Sequence, residues 1–574
     1  MIMKKKITQN NAPAAGGNWW DKLGKPQYGG EIVIRASRNI VNFDPYFNEM
    51  LTTIQTAWME RLHADDWTMD PAIFDYKPLW HPPQYLKGQL AESWELTDSS
   101  TFVAHLRKGI HWQDIPPANG REVIAEDVVF HFSRLYGLGG GFTQPSPFHK
   151  STFAFQELAS VTAADRYTVV FKWKIPSPEL ITEAMLDVKL SLCLENPDAV
   201  RKWGDVSDWH HAIGTGPFIL KDFVSESHAV LVKNPNYWGH DERHPQNQLP
   251  YIDTIKYRYV PDNAAALAEM CAGKIDIIDV VSPVQALAIK KSNPEILQIP
   301  TPLPPTITLD PRLDVAPFND IRVRKAMQMA IDLPSVARDY YRGTVEPYPD
   351  TITSRYMKKF GFGFPYEEWP QDLKQEYEYN PPDARKLLAD AGYPKGFKTN
   401  LVADAAGDMA LMEIVKVYFA AVGIDMEIRP METAAWQTFV QINHRHDQLA
   451  HRPAGPLGKT SAPLMDLNRF QTGAFVNYQM ISDPVFDALY AKAMAAANIN
   501  EIKQIFRDAN EYVARQHFAV SLLQPMSYSL CQPWVKGFNA QFGSSWGAAG
   551  GPGMLSFYLG RFWIDQELKK NLGH

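Results

Sequence analysis

A chain of 574 residues cannot be organised around a single hydrophobic core. Single cores stop growing at about 250–300 residues, so two or more compact units are required. Apolar residues make up 45% and charged residues 21% of the chain, the balance of a protein that buries ordinary globular cores. The 57 basic and 64 acidic side chains give a net charge of −7. With no lysine- or arginine-rich stripe to reverse it, this excludes a general nucleic-acid binder. No stretch approaches the eighteen or so continuous apolar residues of a membrane span.

The N-terminus begins with a basic cluster, Lys4, Lys5 and Lys6, but residues 7–17 are polar and form no apolar signal-peptide core. Residues 1–28 are therefore expected to be a flexible leader, with any export signal or lipid anchor lying upstream of this chain. Cys193, Cys271 and Cys531 stand far apart in no chelating spacing, and read as buried free thiols.

Strands are predicted where apolar and polar residues alternate: GGEIVIR (29–35), TVVFKWK (168–174), AVLVK (229–233) and IKYRYV (255–260). The later half carries capped helices. Asn319 or Asp320 precedes the apolar stripe of Val323, Ala326, Met327, Ala330 and Ile331, with Arg322, Arg324 and Lys325 expected on a solvated face or in pairs between lobes. Asn380 caps a second helix that opens on Pro381 and stops before Gly392. Asp483 and Pro484 start a third, and Ile502, Ile505, Phe506, Ala509 and Val513 mark the buried face of a fourth. Pro300, Pro302, Pro304 and Pro305 punctuate the border between the strand-like and helix-rich halves, so a hinge is expected near Pro304, Pro305 and Thr306.

Five segments in order resemble the peptide- and nickel-binding (family 5) type of solute-binding protein from ABC importers. They are LAESWELTDSSTFVAHLRKGIHWQD with REVIAEDVVFHFSRL (90–135); GTGPFIL (214–220) leading to KNPNYWG (233–239); PYIDTIKYRYVPDNAAALAEMCAGKIDIID (250–279); APFNDIRVRKAMQMAID (316–332); and YNPPDARKLLADAGYPKGF (379–397). The resemblance implies an α/β, periplasmic-binding-protein-like fold of two lobes joined by a hinge, with a small domain inserted in the first lobe. The expected division is lobe one at 29–70 and 206–302, the inserted domain at 71–205, lobe two at 303–524, and a return to lobe one at 525–574. The implied function is capture of a small-molecule or oligopeptide solute between closing lobes and delivery to an ABC permease and its ATPase. Such a receptor works as a periplasmic or extracellular monomer, peripheral to the membrane, without enzymatic activity or cofactor.

The sequence departs from that family at one informative place. Peptide-binding members follow a Glu-Trp helix with a Trp-Gly and Asp-Pro-Asp stretch whose aspartate pairs with the peptide's ammonium. Here Glu432 to Phe439 is followed by HDQLAHRPAGPLGKTSAPLMDLNRF (446–470), with Asp466 the only acid after Asp447. Burying an ammonium without a counter-charge costs about 3–5 kcal/mol. Unless Asp466 or another acid replaces the missing one, free-amino peptides are expected to bind poorly, and Arg445, Arg452 and Lys459 favour an anionic group. Trp58, Trp67, Trp80, Trp209, Trp436 and Trp546 are the aromatic candidates; Trp436 and Trp58 are placed nearest the ligand, with Arg445, Arg452, Asp466 and Trp546. Stacked tryptophans would also suit an oligosaccharide.

His444, His446 and His451 offer an alternative metal or metal-chelate site, and from another class a zinc hydrolase site, but the spacing matches no metallo-hydrolase motif. His210 and His211 are adjacent, a poor chelate on a strand. The chain contains no Walker motif. The glycines of GTGPF read as a place where backbone meets backbone.

Overall fold

The computed structural model describes residues 18–37, 39, 42–47, 53–78, 80–146, 157–186, 192–302, 307–349, 360–405, 407–452, 463–474, 476–496, 498–541 and 555–574. Trp546, Lys459 and the expected hinge residues Pro304, Pro305 and Thr306 lie outside them. The chain divides into two compact units, residues 1–301 with 527–574, and residues 302–526.

The first unit opens with β1 (Glu31–Ala36). Ile32 and Ile34 are buried on one face and Glu31 is exposed on the other, where Val33 packs against a second apolar cluster, so the alternation read from the sequence separates two faces that are both partly covered. Four strands, β2 (Ala91–Asp98), β3 (Thr101–Leu106), β4 (Leu158–Asp165) and β5 (Thr168–Trp173), form an antiparallel sheet in the order β2-β3-β5-β4. The helix α1 (Ala125–Tyr136) packs on it. A buried ionic network ties α1 to the chain that leaves β1. The Arg134 guanidinium donates to both Asp44 oxygens at 2.8 and 2.6 Å and to Glu195 at 3.3 Å, while His131 pairs with Glu195. Burial alone would raise the Glu195 carboxyl, but His131 and Arg134 hold it down to about 2.

The chain then forms β6 (Phe218–Val224), β7 (His228–Lys233), β8 (Thr254–Tyr259), α2 (Asn263–Cys271), β9 (Ile277–Val281), α3 (Pro283–Ser292) and β10 (Leu297–Pro302). The second unit contributes β11 (Thr308–Pro311), α4 (Ile321–Met329), α5 (Pro381–Asp390), β12 (Phe397–Asp404), α6 (Met409–Ala421) and β13 (Ile424–Met431). It continues through α7 (Thr433–Trp436), β14 (Leu449–Arg452), α8 (Pro463–Asn468), α9 (Pro484–Ala495), α10 (Ile499–Gln516) and β15 (Val520–Ser521). β16 (Met526–Cys531) returns to the first sheet. The strand orders are β10-β16-β9-β1-β8-β7-β6 in the first unit and β13-β12-β14-β11-β15 in the second. The chain thus leaves the first sheet along β10 and re-enters along its neighbour β16.

The capping residues work as their types require. Asp320, Asn380 and Asp483 each accept a backbone N–H in the first turn of α4, α5 and α9, and the five apolar positions named for α10 are all buried. The basic residues of α4 need correction. Arg322 is exposed and pairs with Asp320, but Arg324 is only 5% exposed and donates to the carbonyls of Phe318, Gln516 and His517. It pins α4 to the end of α10. Of the cysteines, Cys193 and Cys531 are buried and Cys271 is half-buried; all are free thiols.

Candidate functional site

In open α/β sheets, ligands gather at the carboxyl ends of parallel strands where the strand order reverses. The second unit has one such point. β12 runs parallel to β13 on one side and to β14 on the other, because α6 carries the chain one way and the α7 connection carries it back. The carboxyl ends of β12 and β14, Asp404 and Arg452, therefore mark the reversal. Thr308 of β11 pairs with Arg452 and with Ser521 of β15, so both belong to the same end.

Alternation separates the two faces of this sheet. Leu401, Ala403, Leu309, Leu449 and Val520 join the main apolar core. Val402 and Ala450 lie on the opposite face, covered by Trp436, Val440 and Tyr478. Thr308, Asp310 and Asp404 alternate onto this second face. Asp404 is buried and accepts a 2.8 Å hydrogen bond from the Thr433 hydroxyl at the start of α7. A carboxylate buried there, with its oxygen fixed by a helix-start hydroxyl, is the polar centre of this end of the unit.

The sequence candidates fall apart across this geometry. Trp436 sits at the favourable end but is 1% exposed, with its indole N–H on the Val402 carbonyl at 3.3 Å and its ring edge-on to Tyr478. It is a core residue and offers no face for stacking. Arg445 precedes β14 and is exposed at the amino end, whereas Arg452 closes the carboxyl end. The stretch around β14 is therefore not one continuous lip. Asp466 is buried in α8, a helix that packs on α9 and α10.

The histidines separate likewise. His444 and His446 stand at the amino end, where Arg312 donates to both their carbonyls at 3.1 Å. His451 pairs in register with Leu309 and so alternates onto the apolar-core face. Among the described residues no group of three or more His, Cys, Asp or Glu side chains is gathered to hold a metal. The sheet itself keeps the three imidazoles from converging. His446 is fully buried, and burial, then Arg312, pushes its imidazolium down to about 4. His210 and His211 form a short helical turn and stack on Trp209 and Trp203 instead of sharing a ligand.

The first unit has the equivalent reversal at β1, flanked by its parallel partners β8 and β9. At its carboxyl end the Arg35 guanidinium donates to the Val260 and Pro261 carbonyls and to Asn263, fixing the loop after β8. Trp58 is 0% exposed and packs near Phe43. Its carbonyl accepts the Gly216 N–H at 2.8 Å, and a Cβ on Gly214 would lie 2.0 Å from that oxygen. The GTGPF glycines are thus required by close backbone approach, and Trp58 is the structural wedge they accommodate.

Sequence reasoning missed Asp404, Thr433 and Thr308. The signal for Asp404 was present: it ends the strand-like run FKTNLVAD just before a helix, the position where α/β sheets place polar ligand contacts.

A model of "Bacterial extracellular solute-binding proteins, family 5 Middle" matches residues 86–455. The chain is 25% identical over 475 residues to heme-binding protein A of Haemophilus influenzae, covering 79% of this chain and 81% of that protein. It is also 25% identical over 476 residues to the dipeptide-binding protein of Escherichia coli, covering 78% and 83%. Among solved structures, the ABC transporter-associated periplasmic binding protein DppA from Helicobacter pylori, in complex with the peptide STSA, matches with a TM-score of 0.72 at 19% identity, over 95% of this chain and 99% of that one. The fold is that of the periplasmic binding proteins.

Proposed function

Since this chain belongs to family 5 of the bacterial extracellular solute-binding proteins, we propose that it is the receptor of an ABC importer that takes a peptide-sized solute and hands it unchanged to a permease. Its work is a change of population: solute selects its bound conformer, and no bond is made or broken. The reading places the protein outside the cytoplasmic membrane, and no helix among the described residues is long and apolar enough to cross a membrane.

The observation that carries the choice of solute is Asp404. The family stretch that supplies an ammonium-pairing aspartate is absent after β14, yet the adjacent carboxyl end of β12 bears a carboxylate oriented by Thr433. Asp404 is 1% exposed in this conformer, so we assign to it the counter-charge for a solute ammonium in the solute-bound conformer, which makes free-amino peptides the class to test first. Supporting this, the dipeptide-binding relative and the peptide-bound neighbour are named for such ligands. The burial of Trp58 and Trp436 speaks against a sugar held on stacked tryptophans, and the separation of His444, His446 and His451 against a metal-chelate carrier or a zinc hydrolase.

The test is calorimetric titration of refolded, solute-free protein with Ser-Thr-Ser-Ala and with its N-acetyl form. The free amine is expected to bind, and N-acetylation or Asp404→Asn to weaken binding about a hundredfold or more, as loss of one partner of a buried pair does. Equal binding of the acetylated peptide would remove Asp404 from this role and favour the anionic solute suggested by Arg452.

A further inference from the structure

Of the nine non-glycine residues held at positive φ among the described residues, Val280 is the only β-branched one, at φ 60°. That region strains any branched side chain, and such outliers persist only where the surroundings force them. Here both flanks do so. On one side Ile277 and Ile278 pair with Cys531 and Leu530 of β16; on the other Val281 pairs with Tyr528, with the register shifted between them. The Ser529 hydroxyl donates to Asp279 at 2.5 Å across the same two strands, and Ser282 immediately caps α3 through a reciprocal bond with Gln285. The bulge sets Asp279 and Val280 against Ser529 alone, one residue more on β9 than on β16, and it leaves Val280 turned outward.

The residue turned outward is apolar and open. Val280 is 38% exposed while Ile277, Ile278 and Val281 are at most 3% exposed. It stands at the carboxyl end of β9, the parallel neighbour of β1, at the strand reversal where such a sheet meets ligand. Val284 and Leu287, in the first turns of α3, are also exposed, at 64% and 46%. Backbone geometry alone does not explain a valine: glycine takes this conformation freely and asparagine tolerates it. The strained choice keeps a branched apolar side chain in solvent, and that is intelligible if the side chain itself is used.

We propose that Val280 is a specificity-determining contact of the first unit, presenting an apolar surface to a hydrophobic side chain of the captured solute. This rests on the peptide-solute reading above and deepens it by naming a preference for peptides that carry an aliphatic or aromatic residue.

The test begins with wild-type protein incubated with a tryptic casein digest, from which native mass spectrometry identifies retained peptides. The best-retained peptide is synthesised and titrated against wild type, Val280→Asn, Val280→Gly, Val280→Ile and Val224→Asn. The last alters another exposed valine of the same sheet, at the end of β6. Covering the open part of one valine corresponds to about tenfold in affinity. Val280→Asn and Val280→Gly are expected to bind about tenfold more weakly, Val280→Ile and Val224→Asn to stay within about threefold of wild type, and the retained peptides to be enriched in hydrophobic residues. Folding is checked by thermal unfolding, and the glycine variant carries the test if the asparagine variant does not fold. Wild-type affinity in the Asn and Gly variants would overturn this inference alone. A wild type that retains no peptide would overturn the parent reading and this one with it.

Discussion

His446 shows what burial does to one imidazole. Its side chain is fully buried, and burial, then Arg312, pushes its imidazolium down to about 4 against the smaller opposing effects of Asp310 and the Tyr478 backbone. In the unfolded chain it titrates near 6.5. The unfolded state therefore binds a proton first, and stability present above pH 6.5 is lost as pH falls from there towards 4. The span corresponds to about 3 kcal/mol at most. His446→Leu is expected to flatten the dependence of unfolding free energy on pH across this window; an unchanged slope from urea titrations at pH 7, 5.5 and 4.5 would contradict the assignment. The sequence shows His444, Arg445, His446 and His451 as one cluster. It does not show that β14 begins between them, which sends Arg445 and Arg452 to opposite ends of a strand and His451 to the apolar face. Asp404 was overlooked for the converse reason, since its importance comes from strands that lie beside it in space.

At the scale of elements, local signals were sufficient where the cause is local. Caps at Asn380 and Asp483 satisfy donors of their own first turn, and the α10 stripe reflects only helical spacing. Arg324 fails that logic because its partners are at residues 516 and 517 and at Phe318. A charged residue off the apolar stripe is normally solvated; here the end of α10 leaves carbonyls that a guanidinium can satisfy. Arg324→Met, which keeps much of the volume, is expected to destabilise the second unit by about 1–3 kcal/mol through those unsatisfied carbonyls. An unchanged urea midpoint would show that the carbonyls find other donors. The strained bulge at Val280 was equally hidden, because nothing in IDIIDVV marks where its pairing with β16 shifts register.

At the scale of the whole molecule, the length demanded more than one core and the order of five dispersed segments pointed to the family that the residues 86–455 match confirms. The chain forms two units, each containing a mixed sheet with a strand reversal, at β1 and at β12. Within each unit the strands that meet at the reversal come from distant parts of the chain, as β1 pairs with β8 and β12 with β14, so composition alone does not reveal either end. The central claim is that the protein binds a peptide-sized solute and performs no chemistry on it. Its most direct test is to incubate purified protein with a defined set of free-amino tetrapeptides, remove unbound peptide by gel filtration, denature the protein and weigh what is released. The account predicts intact peptide at one per chain, with no fragments after prolonged incubation. Cleaved peptide, or no retained peptide at saturating concentration, would contradict it.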